Sequence, residues 1–384
     1  MADPIAFWCL AWAAALAEGS EHISEAFRGL LPRNVSPPGA VDISALPTLG
    51  RIRMALSTML LVEERETASV RSPATLIVAP YAIHEASIAD FAVGHSLAQA
   101  LVEGGAGPVA LTYWNSATHE MRGYGIDAYL SDLNVAVDDL GGRASLVGLC
   151  QGGWLAAAFA ARFPAKVAKL VLAGAPIDAA AAPSSITRAL AAITPTAIAG
   201  VLAINGGRVL GALAFSLWSD SFSPEFTAEA ALQRGDDPAL VRLFNEWNRR
   251  TVDLPGVYFV QTAEWIFREN RLARGAFRAL GREALLSAIA APVFVLAAAD
   301  DEVVSLPQAT AIRTLCPQTP VTVRVERGRH LSLFMGRRTI AHAWRDIARW
   351  LVDADSARPR PGKRARARIA PACKLTQDGT KAAL

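Results

Sequence analysis

Three short stretches carry side chains suited to acyl transfer. Gly148-Leu149-Cys150-Gln151-Gly152 sets a thiol between glycines two positions to either side. A tight strand-to-helix elbow needs this pattern, because the nucleophile's backbone is strained there and a Cβ at the flanking positions would clash. Serine is the usual occupant of such an elbow, and cysteine in its place makes the acyl intermediate a thioester rather than an oxygen ester. Asp300-Asp301 and Gly328-Arg329-His330 lie far downstream. A histidine is needed to manage the thiol proton and later to activate the alcohol or water that releases the acyl group. A carboxylate holds its tautomer and stabilises the imidazolium. Asp301 is preferred to Asp300, since Asp301-Glu302-Val303-Val304 fits an Asp-x-x-Val turn; Asp300 is the alternative. A lone cysteine is among the most buried residue types, so these partners are what distinguish Cys150 from a structural thiol.

The elements that must position these groups alternate as a parallel sheet demands. Thr75–Val78, Val109–Trp114, Ala144–Leu149, Lys169–Ala173, 293–297 and 321–325 read as buried strands. Helical patterns stand near Ser96–Val102, Tyr124–Leu140, Gly153–Phe163, after Pro307, and over Thr339–Leu351. Cysteine, aspartate and histidine then each follow the carboxyl end of a strand, in the chain order of the α/β-hydrolase fold. The expected fold class is therefore α/β, an α/β-hydrolase fold with a mostly parallel sheet and helices on both faces. Regular alternation lapses over about 100 residues after the strand that follows the elbow, the position of a cap insertion. The expected organisation is a helical extension over 1–70, a core over 71–178 and 286–353, a cap over 179–285, and a basic tail over 354–384.

The oxyanion of a tetrahedral intermediate needs two donors. One is the backbone N–H of Gln151, at the helix N-terminus. The other lies in the loop after Val78, at Tyr81 or Ala82. His84, Trp114 and Trp154 are candidates for the substrate pocket.

Composition narrows the function classes. The chain has 384 residues, 52% hydrophobic and 19% charged, enough to bury one large core and a subsidiary lobe. Four cysteines (Cys9, Cys150, Cys316, Cys373) show no CxxC or Cys/His spacing, so neither a disulfide framework nor a metal site is expected, and no cofactor is implied. A reducing, cytoplasmic setting is the expectation. The apolar run Ile5–Ala17 lacks the basic start of a secretory signal and is too short to span a bilayer. It reads as a helix lying on the fold or on a hydrophobic surface. Residues 190–218 are also apolar but are broken by Pro195, Gly200, Gly206 and Gly207, as a greasy cap segment would be. The tail from Arg358 carries eight basic residues against Asp378 alone. It lacks aromatic interleaving, so no nucleic-acid partner is expected.

From Thr75 to Leu351 the chain resembles the polyhydroxyalkanoate synthase and intracellular polyhydroxybutyrate depolymerase group of α/β-hydrolases, which use an elbow cysteine. Gly148 to Gly153, and His95-Ser96-Leu97 through Trp114-Asn115, are synthase-like. His330-Leu331-Ser332-Leu333-Phe334-Met335-Gly336-Arg337-Arg338 is similar to the depolymerase His-Tyr-Gly-x-Phe-x-Gly-Arg-Arg. Leu243–Asn248, Phe267–Gly275, Gly174-Ala175-Pro176-Ile177-Asp178 and Leu315-Cys316-Pro317 also resemble depolymerase segments. Two departures stand out: Gly152 replaces the depolymerase elbow proline, and Arg329-His330-Leu331 replaces its Gly-His-Tyr. The resemblance implies hydrolysis of polyhydroxyalkanoate esters through Cys150, Asp301 and His330, with the polymer and its granule surface as partners. Polymerisation of hydroxyacyl-CoA, and a catalytically silent granule-coating protein, are the alternatives. A homo-oligomer is left open.

Overall fold

A computed structural model describes residues 42–65, 73–215, 227–233 and 237–353. The apolar run Ile5–Ala17, the tail beyond 353 and the end of the 190–218 segment lie outside them. Eight strands form one sheet: β1 (Leu49–Ala55), β2 (Met59–Glu64), β3 (Thr75–Val78), β4 (Val109–Trp114), β5 (Ala144–Leu149), β6 (Val167–Ala173), β7 (Val293–Ala298) and β8 (Val321–Glu326). Their order is β1-β2-β4-β3-β5-β6-β7-β8. From β4 to β8 every neighbouring pair is parallel. β3 to β7 are apolar almost throughout and buried nearly end to end, as strands covered on both faces must be.

The helical extension expected over 1–70 is corrected in its described part. Residues 49–64 form an antiparallel hairpin, with Ile52 opposite Val62 and Arg51 opposite Glu63, and β2 continues antiparallel onto β4. Arg51 and Arg53 alternate with Ile52 and Met54 in sequence, but on this edge strand Ile52 is exposed as well. Buried Glu63 is held by both arginines, so a charge on the covered face keeps its partners.

Helices pack on the sheet: α1 (Leu97–Glu103), capped by the Ser96 side chain accepting from the Gln99 N–H; α2 (Ile126–Asp139); and α3 (Gln151–Arg162). α3 is alanine-rich because it is buried almost completely, and small side chains let it approach β5 and β6. Between β6 and β7 the chain leaves the sheet. It forms α4 (Ser185–Ala192), α5 (Pro195–Ile204), α6 (Pro238–Arg249) and α7 (Gly256–Gln261), the last running on into a wider π-type turn over Thr262–Arg268. α6 starts at Pro238 behind the Asp237 cap and buries Phe244 and Trp247. After β8 comes the closing helix α8 (Arg345–Val352), whose last carbonyls accept from Lys169 Nζ. Among the described residues no single helix is long and apolar enough to cross a membrane; α4 and α5 pass that test only together, bent by 81°.

Candidate active site

Cys150 stands at φ +47°, ψ −118° between β5 and α3, a backbone conformation costing a non-glycine residue on the order of 1–3 kcal/mol. The surroundings over-determine it. A Cβ on Gly148 would lie 2.5 Å from Gly153 Cα, and one on Gly152 would lie 2.1 Å from the Val78 carbonyl oxygen. The two glycines let α3 start directly against β5 and the end of β3. Its free N-terminal N–H groups are thereby brought to the thiol.

Asp301 Oδ1 accepts the N–H groups of Val303 at 2.9 Å and Val304 at 2.8 Å, which fixes the Asp-x-x-Val turn from within. Oδ2 is left for His330 Nδ1, 2.8 Å away. Both side chains are almost wholly buried. Asp300 is exposed and points elsewhere; its N–H donates to the Gly328 carbonyl. With Nδ1 committed to Asp301, the other imidazole nitrogen is the one left for chemistry at Cys150, which borders the same hollow. Burial by itself would lower the basicity of His330. The neighbouring Asp301 carboxylate and Cys150 sulfur outweigh it, so its pKa stands well above the ordinary 6.5. The structure thus joins His330 to Asp301 and sets Cys150 on the same hollow as His330. An imidazole that holds its proton beside a thiol is poised to deliver it to a departing oxygen.

Two adjoining hollows flank Gln151. The outer one, partly open to solvent, is bordered by Cys150, His330, His84, Trp247, Val303 and Phe334 among others. The inner one is lined by Tyr81, Ile186, Leu190, Tyr258, Thr262, Phe267 and neighbouring side chains. Ala82, Ile83, Gln151 and Ile186 border both. Of the two loop positions considered for the second oxyanion donor, Ala82 therefore lies between the hollows, whereas Tyr81 borders the inner one. The Tyr81 ring packs with Tyr129 and Tyr258, centroids 4.8 and 5.1 Å away.

His84 does line the outer hollow. It stacks on Trp247 at 4.5 Å, and its Nε2 meets the Asn248 carbonyl at 3.1 Å. Burial lowers its pKa to about 4, so it is neutral at pH 7. Trp114 and Trp154 are corrected: both are core. Trp114 is buried with its indole N–H donating to the Ala79 carbonyl at 2.8 Å. Trp154 is fully buried on α3 against Phe277. Both project into the packing between sheet and helices rather than beyond the strand ends. The tryptophan that does border a hollow, Trp247, comes from the cap with Ile186, Leu190 and Thr262. Its sequence signals are the Phe244/Trp247 pair, spaced i, i+3 on one helix face, and its place in the Leu243–Asn248 segment. The other described cysteine, Cys316, is buried, donates to the Leu286 carbonyl at 2.9 Å, and is pushed up to about 11 by burial.

Several solved structures resemble the chain in fold. Bromoperoxidase from Bacillus anthracis superposes with a TM-score of 0.51 at 19% identity, covering 77% of this chain and 95% of that one. A membrane phospholipase A, a bacterial virulence factor, gives 0.50 at 15% identity over 90% of this chain and 97% of that one. A carboxylesterase from Nitrososphaera gargenis gives 0.47 at 17% identity over 74% and 92%. At these identities the likeness is one of fold. No curated protein matches the sequence. Sequence similarity speaks separately: residues 111–336, spanning the elbow, the acid turn and the histidine loop, match the alpha/beta hydrolase fold family. That span is more than half of the chain, and the chain belongs to this family.

Proposed function

We propose that the protein hydrolyses ester bonds of polyhydroxyalkanoates of the polyhydroxybutyrate type, with Cys150 as nucleophile, His330 as acid and base, and Asp301 orienting His330. The observation that carries the reaction type is the elbow thiol at φ +47° bordering the same hollow as an imidazole whose Nδ1 is held by Asp301 at 2.8 Å. The polymer is supported by the depolymerase-like segments around His330 and in the cap.

In the first half-reaction the Cys150 thiol proton passes to His330 as Sγ bonds to the ester carbonyl carbon. The tetrahedral oxyanion forms beside the Gln151 N–H at the positive end of α3. Its collapse breaks the carbon–oxygen ester bond, and the leaving oxygen takes the proton held by His330. In the second half-reaction water gives a proton to His330 while its oxygen attacks the thioester carbonyl. Breaking the carbon–sulfur bond releases the carboxylic acid and returns sulfur to the His330 side. Asp301 keeps Nδ1 protonated throughout, so the other nitrogen does both transfers.

A second reading has one feature in its favour: Gly152 stands where depolymerases carry proline and synthases glycine. Polymerisation of hydroxyacyl-CoA uses the same thioester, with a growing-chain hydroxyl in place of water. Product analysis with amorphous polyhydroxybutyrate and with 3-hydroxybutyryl-CoA, each against Cys150→Ala, tests the proposal. Free acids or oligomers from the polymer are the expected result. Polymer growth with CoA release would establish the second reading. Turnover of neither substrate, with no acyl group on Cys150, would reduce the protein to a granule-coating role.

A further inference from the structure

The wall of the inner hollow is mostly apolar and includes Gln151 and Thr262. Gln151 Oε1 and Thr262 Oγ1 are buried in its wall, and neither has a hydrogen-bond partner among the described residues. Gln151 is 8% and Thr262 6% exposed, so bulk water does not satisfy them. Unpaired polar atoms in a greasy wall are costly and call for a partner. The Tyr258 phenol stands near the Thr262 hydroxyl without making a bond of normal geometry to Oγ1. Thr262 faces inward because it opens the π-type turn that follows α7, a distortion that often sits at functional sites.

Direction follows from the chemistry. His330 borders the outer hollow and not the inner one. The oxygen that accepts its proton must leave on that side, so the acyl chain turns past Gln151 into the inner hollow. There it meets a carbonyl oxygen that only accepts and a hydroxyl that can donate. The smallest substituent that answers both is a hydroxyl, donating to Gln151 Oε1 and accepting from Thr262 Oγ1.

We infer that Gln151 and Thr262 together read the free hydroxyl of a terminal hydroxyacyl unit, near its carbonyl end, and so set the preference for hydroxyacyl over plain acyl substrates. The inference rests on the thioester reading above. The test is the ratio of kcat/KM for 3-hydroxybutyryl-CoA to that for butyryl-CoA, followed as thioester hydrolysis, with acylation of Cys150 monitored by mass spectrometry. The wild type should favour the hydroxyacyl thioester by tenfold or more, as sites built around a substrate hydroxyl do. Thr262→Val, which keeps shape but loses the hydroxyl, should cut the ratio about tenfold. Thr262→Ser should restore it. Gln151→Met, which keeps the backbone N–H, should also lower it and gives the same readout if the valine variant does not fold. A wild-type ratio near one, or a ratio unmoved in Thr262→Val and Gln151→Met while Cys150 is still acylated, overturns the inference and leaves the thioester reading standing. Absence of acylation by either thioester overturns both.

Discussion

Gly152→Ala tests whether the elbow is built as described. An added Cβ would stand 2.1 Å from the Val78 carbonyl oxygen, 2.5 Å from the Ala79 carbonyl oxygen and 2.8 Å from the Ala79 carbonyl carbon. All three are backbone atoms at the end of β3, so no side chain can rotate away. Restoring ordinary contact distances requires the start of α3 and the β3 loop to part by on the order of 1 Å. Overpacking of this kind costs about 1–3 kcal/mol, and the upper end applies where backbone must move. The same displacement pulls the Gln151 N–H away from the loop carrying Ala82, and misplacement by about 1 Å can cost roughly 100-fold in rate. Gly200→Ala is the control: it lies inside α5 with nothing within 4 Å of its Cβ, and alanine there should stabilise by about 0.5–1 kcal/mol. Urea melts and kcat/KM on a hydroxybutyryl thioester measure both quantities. Wild-type stability and rate in Gly152→Ala would refute the close approach of α3 to β3 on which the site geometry rests.

Cys150→Ala should lower acyl turnover by about 10⁴-fold or more without unfolding the protein, and a rate within tenfold of wild type would remove the thioester mechanism. Peptide mapping after brief iodoacetamide treatment should show Cys150 modified and Cys316 spared, because the latter is buried and its thiol held up near 11; faster labelling of Cys316 would contradict the assigned environments. Asp301→Asn should cost about 10⁴-fold by misorienting His330, while exposed Asp300→Asn should cost little; equal losses would mean the acid loop is wrongly placed. For His84, a folded-state pKa near 4 lies below the ordinary 6.5. Its neutral form contributes stability that is complete above about pH 6.5 and is lost as pH falls toward 4. At about 1.4 kcal/mol per tenfold change in proton affinity this amounts to on the order of 3 kcal/mol. In denaturant melts from pH 7 to 4.5 the stability gap between wild type and His84→Gln should therefore narrow; a widening gap would reverse the assignment.

The sequence by itself determined what is local. The Gly-x-Cys-x-Gly spacing specifies the elbow, because the clashes that forbid a side chain at Gly148 and Gly152 arise within a few residues or from the adjacent strand. The preference for Asp301 over Asp300 was legible because the Asp301 carboxylate bonds the N–H groups two and three residues on. The buried strands were legible because apolar runs of that length have few alternatives in an α/β alternation. Tertiary structure decided the rest. Strands β1 and β2 join the sheet only because β4 offers an edge, which the hairpin's own residues do not announce. Trp114 ends the strand β4 and Trp154 follows the elbow by four residues, yet both face the core. Trp247, Ile186 and Thr262 come from the cap and line the hollows beside Cys150. Which side chains surround a nucleophile depends on how distant segments pack over the strand ends, and packing is a property of shapes meeting across the fold that no spacing along the chain encodes.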